Sequence, residues 1–348
     1  MRALVLKKHG SPDDALAVEQ RPDPSPGEGQ VKIKVRACGI NFADLLARVG
    51  LYPDAPKPPC VMGYEVAGEI DELGPGVNGF APGQRVFAAT RFTGFAELAV
   101  ADLANVLALP DRFSFEQGAA LPVNYGTAYA AIVLLADVQH GETVLVHAAA
   151  GGVGIAALQL LRDRGAEAIG TASASKHEFI RGQGAAHTID YRTRDVSKDV
   201  KRITDSRGVD VVLDSLGEFK QSLSLLRPNG RVVMYGVSNL MAGDRRRLGT
   251  VVRGMASIAG NLPRFNAIKL MNGNQTKKVG DKSMMGLNAL HWWDDKGSLE
   301  ELTNPLVGLI EQGVIEPVVA ESFPFERAAE AHRYIQDRRN IGKVVLTP

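Results

Sequence analysis

An apolar run, "ETVLV" (142–146), leads into "HAAAGGVGIAALQ" (147–159), which puts glycines between a strand-like segment and a helix-like one. No other stretch constrains the fold as much. A dinucleotide's pyrophosphate needs backbone N–H groups at close range and the positive end of a helix, and side chains obstruct that approach. Ala149, Gly151 and Gly154 hold the three positions of such a loop. Alanine at the first permits the tight turn at some loss of backbone latitude. A glycine loop alone is weak evidence. Here a strand precedes it, an amphipathic helix (151–165) follows, and a second strand, "AEAIGTA" (166–172), comes next, which is the context the motif requires.

The same alternation continues through "KHEFIRGQG" (helix), "HTIDY" (strand), "DVSKDVKRIT" (helix), "VDVVLDS" and "GRVVMYG" (strands), and predicts an α/β, doubly wound parallel sheet. The first hundred residues differ. "VKIKVRACGI" (31–40) alternates as a half-buried strand does, and Gly/Pro-rich turns at 22–30 and 72–86 punctuate a small barrel or sandwich. Helices are expected over 304–315 and 325–337. A closing strand, "KVVLTP" (343–348), returns to complete the β-rich part. The segment 240–297 has weak periodicity and gives no reading.

Cofactor choice is read at the end of the second strand. NAD-binding units place an acid there to accept from the ribose 2′-hydroxyl. In "GTASASKHE" no acid precedes Glu178; Thr171, Ser173, Ser175 and Lys176 stand instead. Hydroxyls and an ammonium suit a 2′-phosphate that a carboxylate would repel, which favours NADPH over NADH. Lys176 also reads as a surface lysine at a helix start. Tyr191, in "TIDYR", is placed to cover the adenine-ribose end or to be an ordinary strand-end tyrosine.

Composition excludes several classes. A net charge of +1 argues against a dedicated nucleic-acid or membrane-surface binder. Two cysteines, Cys38 and Cys60, make no disulfide framework and suit a reducing, cytoplasmic setting. The apolar start "MRALVLKKHGS" is too short for a signal peptide. The run 119–136 approaches membrane-spanning length, but Pro122, Asn124 and Gly126 interrupt it, so it reads as buried core helix, with no integral membrane association expected. The cysteines lack CxxC spacing and the histidines form no HxH or HxxxH set, so no metal site is expected.

The stretches "ACGINFADLLARVGLYP" (37–53), "GYEVAGEI" (63–70), "NYGTAY" (124–129), "HAAAGGVG" (147–154), "GTASASK" (170–176), "TIDYR" (188–192) and "DSLG" (214–217) occur in family order. Together they resemble the medium-chain dehydrogenase/reductase superfamily in its zinc-independent quinone oxidoreductase branch, and within it most resemble the vesicle amine transport protein homologues. The resemblance implies a GroES-like catalytic domain (1–123 with 299–348), a Rossmann NADPH-binding domain (124–298) and an active cleft between them. Zinc-dependent relatives carry Cys, His and Cys where this chain has Asn41, Tyr64 and about Val123. The resemblance further implies that Asn41, Asp44 and Tyr52 face nicotinamide and substrate, and that Thr127 and Tyr129 lie beside the cofactor. It gives Ala150, Gly151, Gly152, Val153 and Gly154 the pyrophosphate, and Ser173, Lys176 and Tyr191 the 2′-phosphate. Ser215 and Gly236 to Asn239 would line the nicotinamide side. Asn340 resembles a position that reaches the cofactor and equally reads as a turn residue. A homodimer is implied as well.

The expected chemistry is NADPH-dependent reduction of a quinone or α,β-unsaturated carbonyl by hydride transfer. Asp44 is read as orienting or capping rather than proton-donating, and Tyr52 or water as the proton source. Two alternatives remain: an enoyl-thioester reductase, and an NADPH-binding protein of weak catalysis acting through partners or acidic lipids. Both would use the basic run "DRRRLGTVVR" (244–253).

Overall fold

The computed structural model describes residues 1–241, 275–288 and 296–348. The basic run 244–253 and most of the unread 240–297 segment lie outside these residues. The chain divides into two compact units: among the described residues, one holds Met1–Val123, Met241 and Pro317–Pro348, and the other Asn124–Leu240, 275–288 and 296–316.

The first unit is built on a seven-stranded sheet. Its path runs Val319–Pro324, Lys343–Thr347, Gln30–Ile40, Glu65–Leu73, Arg85–Ala89, Val106–Ala108, with Leu98–Asp102 also paired to Gln30–Ile40. Gln30–Ile40 carries the alternation read from sequence, and Val31, Ile33, Val35 and Ala37 are buried. The closing strand pairs with it antiparallel, setting Val344 beside Ile40, Val345 beside Gly39 and Leu346 beside Cys38. The last residues therefore complete the N-terminal sheet, as a GroES-like domain requires. A three-stranded sheet of Leu16–Gln20, Arg2–Leu6 and Cys60–Val61 lies in the same unit.

The second unit carries the doubly wound sheet, in the order Ala185–Asp190, Glu167–Ala172, Thr143–Val146, Val209–Asp214, Leu226–Met234, Lys282–Gly286, Thr276–Val279. All neighbours are parallel except the last pair. Strands of such a sheet are covered on both faces and are apolar throughout: Thr143–Val146 and Val209–Asp214 are buried at every position. The chain reverses direction across the sheet between these two strands, so their carboxyl ends form the topological switch point where ligands bind in such folds.

One sequence reading changes and one stands. Helix Lys296–Glu311 belongs to the second unit, where Pro305, Gly308 and Leu309 line a groove with Val133, Leu160 and Arg164. The C-terminal return accordingly starts at Pro317 rather than at 299. Phe115–Leu135 is long and apolar enough to span a membrane, yet 67% of its most apolar window is buried inside the protein, as in a core helix.

Candidate functional site

At the switch point the chain leaves Val146, turns through Ala148–Gly151 and enters helix Gly152–Asp163. The turn is closed by Gly151 N–H donating to Ala148 O (2.8 Å) and fixed to the next strand by Ala149 N–H donating to Thr171 O (3.0 Å). The positive φ falls on Ala148 (50°), one residue before the position where the lost glycine was noted. The glycines serve space rather than left-handed backbone. A Cβ on Gly154 would lie 2.5 Å from Ala148 O, and one on Gly152 2.5 Å from the Asn124 amide. No side chain caps this helix. Its first-turn N–H groups therefore face outward beside Ala150–Gly154, as an anion site needs.

The neighbouring strand ends supply the rest. The strand Glu167–Ala172 runs into Ser173, which is buried and N-caps a short turn ending at Lys176. Ala172 pairs with Asp190, so Tyr191 comes next to Ser173 at the adjoining strand end. The Arg192 guanidinium lies 6.0 Å from the Tyr191 ring centre. Asp190, the nearest carboxylate in sequence, is turned into its own loop by the Arg192 N–H (3.0 Å) and the Thr193 hydroxyl (2.9 Å). On the other side of the switch point, Ser238 N–H donates to Ser215 O (3.0 Å), and Gly236 passes so close that a Cβ would lie 2.8 Å from Ser215 O. Asn239 donates through Nδ2 to Glu218 (2.6 Å). Two polar atoms are buried here without a hydrogen-bond partner, Ser215 Oγ and His147 Nε2. Burial, only partly offset by Asp214, holds the His147 pKa below its usual value, so the ring is neutral at physiological pH. An uncapped helix start, glycines without room for a Cβ and orphaned polar atoms at the strand ends fit a dinucleotide.

Thr127 is buried in helix Pro122–Tyr129, whose Asn124 touches the glycine turn. Tyr129 is not brought there. It lines a groove of about 320 Å³ with Leu160, Asp163 and Arg164, at the far end of the 12-residue helix Gly152–Asp163. Even the nearest of these, Leu160, lies roughly 12 Å along that helix from Gly152 at 1.5 Å per residue, so Tyr129 is not brought beside the glycine turn. Asn340, in the first unit, donates through Nδ2 to Gly342 O (2.8 Å), as a turn residue does.

The first unit gathers Asn41, Asp44 and Tyr52 with residues the sequence did not single out. Strand Gln30–Ile40 stops at Ile40, and Asn41, in extended backbone, begins helix Phe42–Arg48. Asp44 closes a capping box, its Oδ2 accepting the Asn41 N–H at 2.8 Å. Asn41 Nδ2 donates to Glu65 Oε1 (2.8 Å), and the Lys343 ammonium donates to Asn41 Oδ1 (2.6 Å) and to the same Glu65 oxygen. Glu65 Oε2 accepts the Val123 N–H (2.8 Å). Glu65 and Lys343 are both buried. Gly39 makes room, since a Cβ there would meet Lys343 Cε at 2.5 Å and Glu65 Oε1 at 2.6 Å. Tyr52 and Tyr64 meet edge to face at 6.2 Å, and Phe92 packs on Tyr64 at 4.9 Å. Burial pushes both phenols up in pKa, with the Asp44 charge adding to it, so each keeps its proton. Asp44 is itself pushed up to about 7, mainly by burial, against the pull of the Asn41 N–H and Lys343. Its Oδ1 has no hydrogen-bond partner, nor has the Tyr64 hydroxyl. Among the described residues no group of three or more His, Cys, Asp or Glu could hold a metal ion.

The missed residues left signals. Glu65 and Lys343 open two apolar strands, "EVAG" and "KVVL", with opposite charges where a buried strand has none to spare. Arg192 follows directly on Tyr191.

A GroES-like unit joined to a doubly wound unit with a dinucleotide-type glycine turn defines a nicotinamide-dependent oxidoreductase fold. Residues 27–111 match the alcohol dehydrogenase GroES-like domain family, and residues 183–346 the zinc-binding dehydrogenase family. The rat synaptic vesicle membrane protein VAT-1 homolog is 39% identical over all of this chain and 84% of its own length. The Escherichia coli quinone oxidoreductase complexed with NADPH superposes with a TM-score of 0.81 at 30% identity, covering both chains fully. The CurK enoyl reductase superposes at 0.82 and 30% identity, covering 99% of this chain and 98% of its own. The chain belongs to the medium-chain dehydrogenase/reductase superfamily, alongside the VAT-1 homologues.

Proposed function

We propose that this protein is an NADPH-dependent reductase of quinones or α,β-unsaturated carbonyls. The observation that carries the reading is the strand-end set Ser173, Lys176, Tyr191 and Arg192, beside an Asp190 carboxylate that is held in its own loop. Ala150–Gly154 hold the pyrophosphate on the uncapped helix start. Ser215 and the Gly236–Asn239 loop serve the nicotinamide end.

Bound NADPH supplies the hydride. The chain's own residues handle the charge that results. Reduction leaves negative charge on an oxygen of the acceptor, which calls for hydrogen-bond donors. Asn41 Nδ2–H and the Tyr52 hydroxyl are such donors, and Tyr52 holds its proton because burial raises its pKa. Asp44, whose pKa burial pushes up to about 7, is fit to exchange a proton with this polar cluster near neutral pH. That assigns Asp44 more than the orienting role expected from sequence.

The likeness to an enoyl reductase favours an enoyl-thioester acceptor as a second reading. One labelling experiment tests both. With NADPH deuterated at the nicotinamide C4, deuterium is expected at the β-carbon of a reduced simple enone. Deuterium found only in an enoyl-thioester product would favour the second reading, and label in neither product together with no quinone-dependent oxidation of NADPH would contradict both.

A further inference from the structure

The contacts of Asn41 decide which way its carboxamide faces. An ammonium can only donate and a carboxylate can only accept. With Lys343 Nζ on Oδ1 and Glu65 Oε1 on Nδ2, the amide cannot be turned over without setting donor against donor and acceptor against acceptor. The usual ambiguity between amide oxygen and nitrogen is therefore absent here. The carbonyl oxygen is held by the ammonium, with the Asp44 N–H of the capping box also facing that side chain. One of the two Nδ2–H groups goes to Glu65, which leaves the other as the group Asn41 can offer. The pair that enforces this is buried, and Gly39 is kept free of a side chain where the two charges meet. Burying two charges is costly and seldom raises stability over an apolar pair, so a positioning role is the stronger account of why they are here.

We infer that Glu65 and Lys343 are positioning residues that clamp the Asn41 carboxamide as a hydrogen-bond donor, so that it favours substrates whose oxygen gains negative charge. The inference rests on Asn41 being the donor in the proposed reduction. Neither residue touches the reacting atoms.

The test is the double variant E65Q/K343Q, which removes both charges together so that neither is left buried without the other. The side-chain amide pair of Asn41 is assigned in ¹H–¹⁵N spectra by its loss in Asn41→Asp. In the wild type one amide proton is expected downfield and slow to exchange. In the double variant the pair is expected to move to the position of a solvated carboxamide. With it, kcat on a quinone should fall about tenfold or more, while the KM for NADPH stays unchanged. Unchanged amide signals in the double variant would overturn the clamp. Wild-type kcat in the double variant, with activity lost in Asn41→Ala, would overturn it while leaving Asn41 as the donor. Wild-type kcat in Asn41→Ala would sink that reading and the clamp's purpose together. Should the double variant not fold, the wild-type spectrum alone is decisive, because a solvated-type amide pair there contradicts the clamp.

Discussion

Asp44 and His332 titrate in opposite senses, and both are buried. The Asp44 carboxyl has a pKa of about 7 in the folded chain against an ordinary 3.8, so the folded state holds its proton where the unfolded state has lost it. Its contribution is full below about pH 4 and is lost as pH rises through 7, by about 1.4 kcal/mol per pH unit at most. His332 has both ring nitrogens without partners, and burial, helped by the Arg48 charge, lowers its pKa to about 3 from 6.5. The unfolded chain takes a proton below pH 6.5 and the folded one does not, so stability falls as pH drops from 6.5 toward 3. The two slopes cancel between about pH 4 and 6.5. Asp44→Asn should therefore expose a steep acid loss and His332→Phe the reverse slope, each read from urea midpoints at pH 5 and pH 6.5. Parallel slopes in both variants would refute the assignment. At the strand ends, Lys176→Ala and Arg192→Ala should each weaken NADPH binding about tenfold, as expected for one lost charge-assisted contact. NADH binding should change little, and fluorescence titration measures both. The hydroxyl and ammonium pattern was legible here because it lies within a few residues of one strand. The Glu65–Lys343 pair was not, because its members are 278 positions apart and only the sheet register joins them.

Helix Gly152–Asp163 depends on backbone room at its start. Gly154→Ala would drive a Cβ into Ala148 O at 2.5 Å, and that atom belongs to the backbone of a turn already holding a left-handed alanine. The substitution should abolish measurable dinucleotide binding, and calorimetric titration reads the loss. Undiminished affinity would show that the turn is not the pyrophosphate site. The strands and helices of this unit were readable because their periodicity switches cleanly from apolar runs to 3.6-residue patterns. The resemblance set Tyr129 beside the cofactor, while its segment carries a single apolar pattern from 119 to 136. That pattern does not reveal which end of helix Gly152–Asp163 each residue meets. The wide helical turn of Ala130–Leu135 was likewise invisible to an apolar count.

At the scale of the molecule, the return of Lys343–Thr347 to the N-terminal sheet was foreseeable from a lone apolar strand at the end of a chain with an incomplete β-rich start. The starting point of that return, Pro317, was not, since helix Lys296–Glu311 shows its allegiance only through packing. A homodimer is the expected assembly, and light scattering on the eluted peak should give twice the chain mass. Salt-sensitive binding to acidic liposomes would instead favour the reading as a binding protein that acts at lipid. The most direct test of the central claim is the initial rate of NADPH oxidation over a panel of ortho- and para-quinones, enones, enals and an enoyl-CoA, with NADH run in parallel. The account predicts turnover of quinones or simple enones with NADPH, and at least about tenfold slower rates with NADH, as the strand-end cations require. Tight NADPH binding without turnover of any acceptor would contradict it.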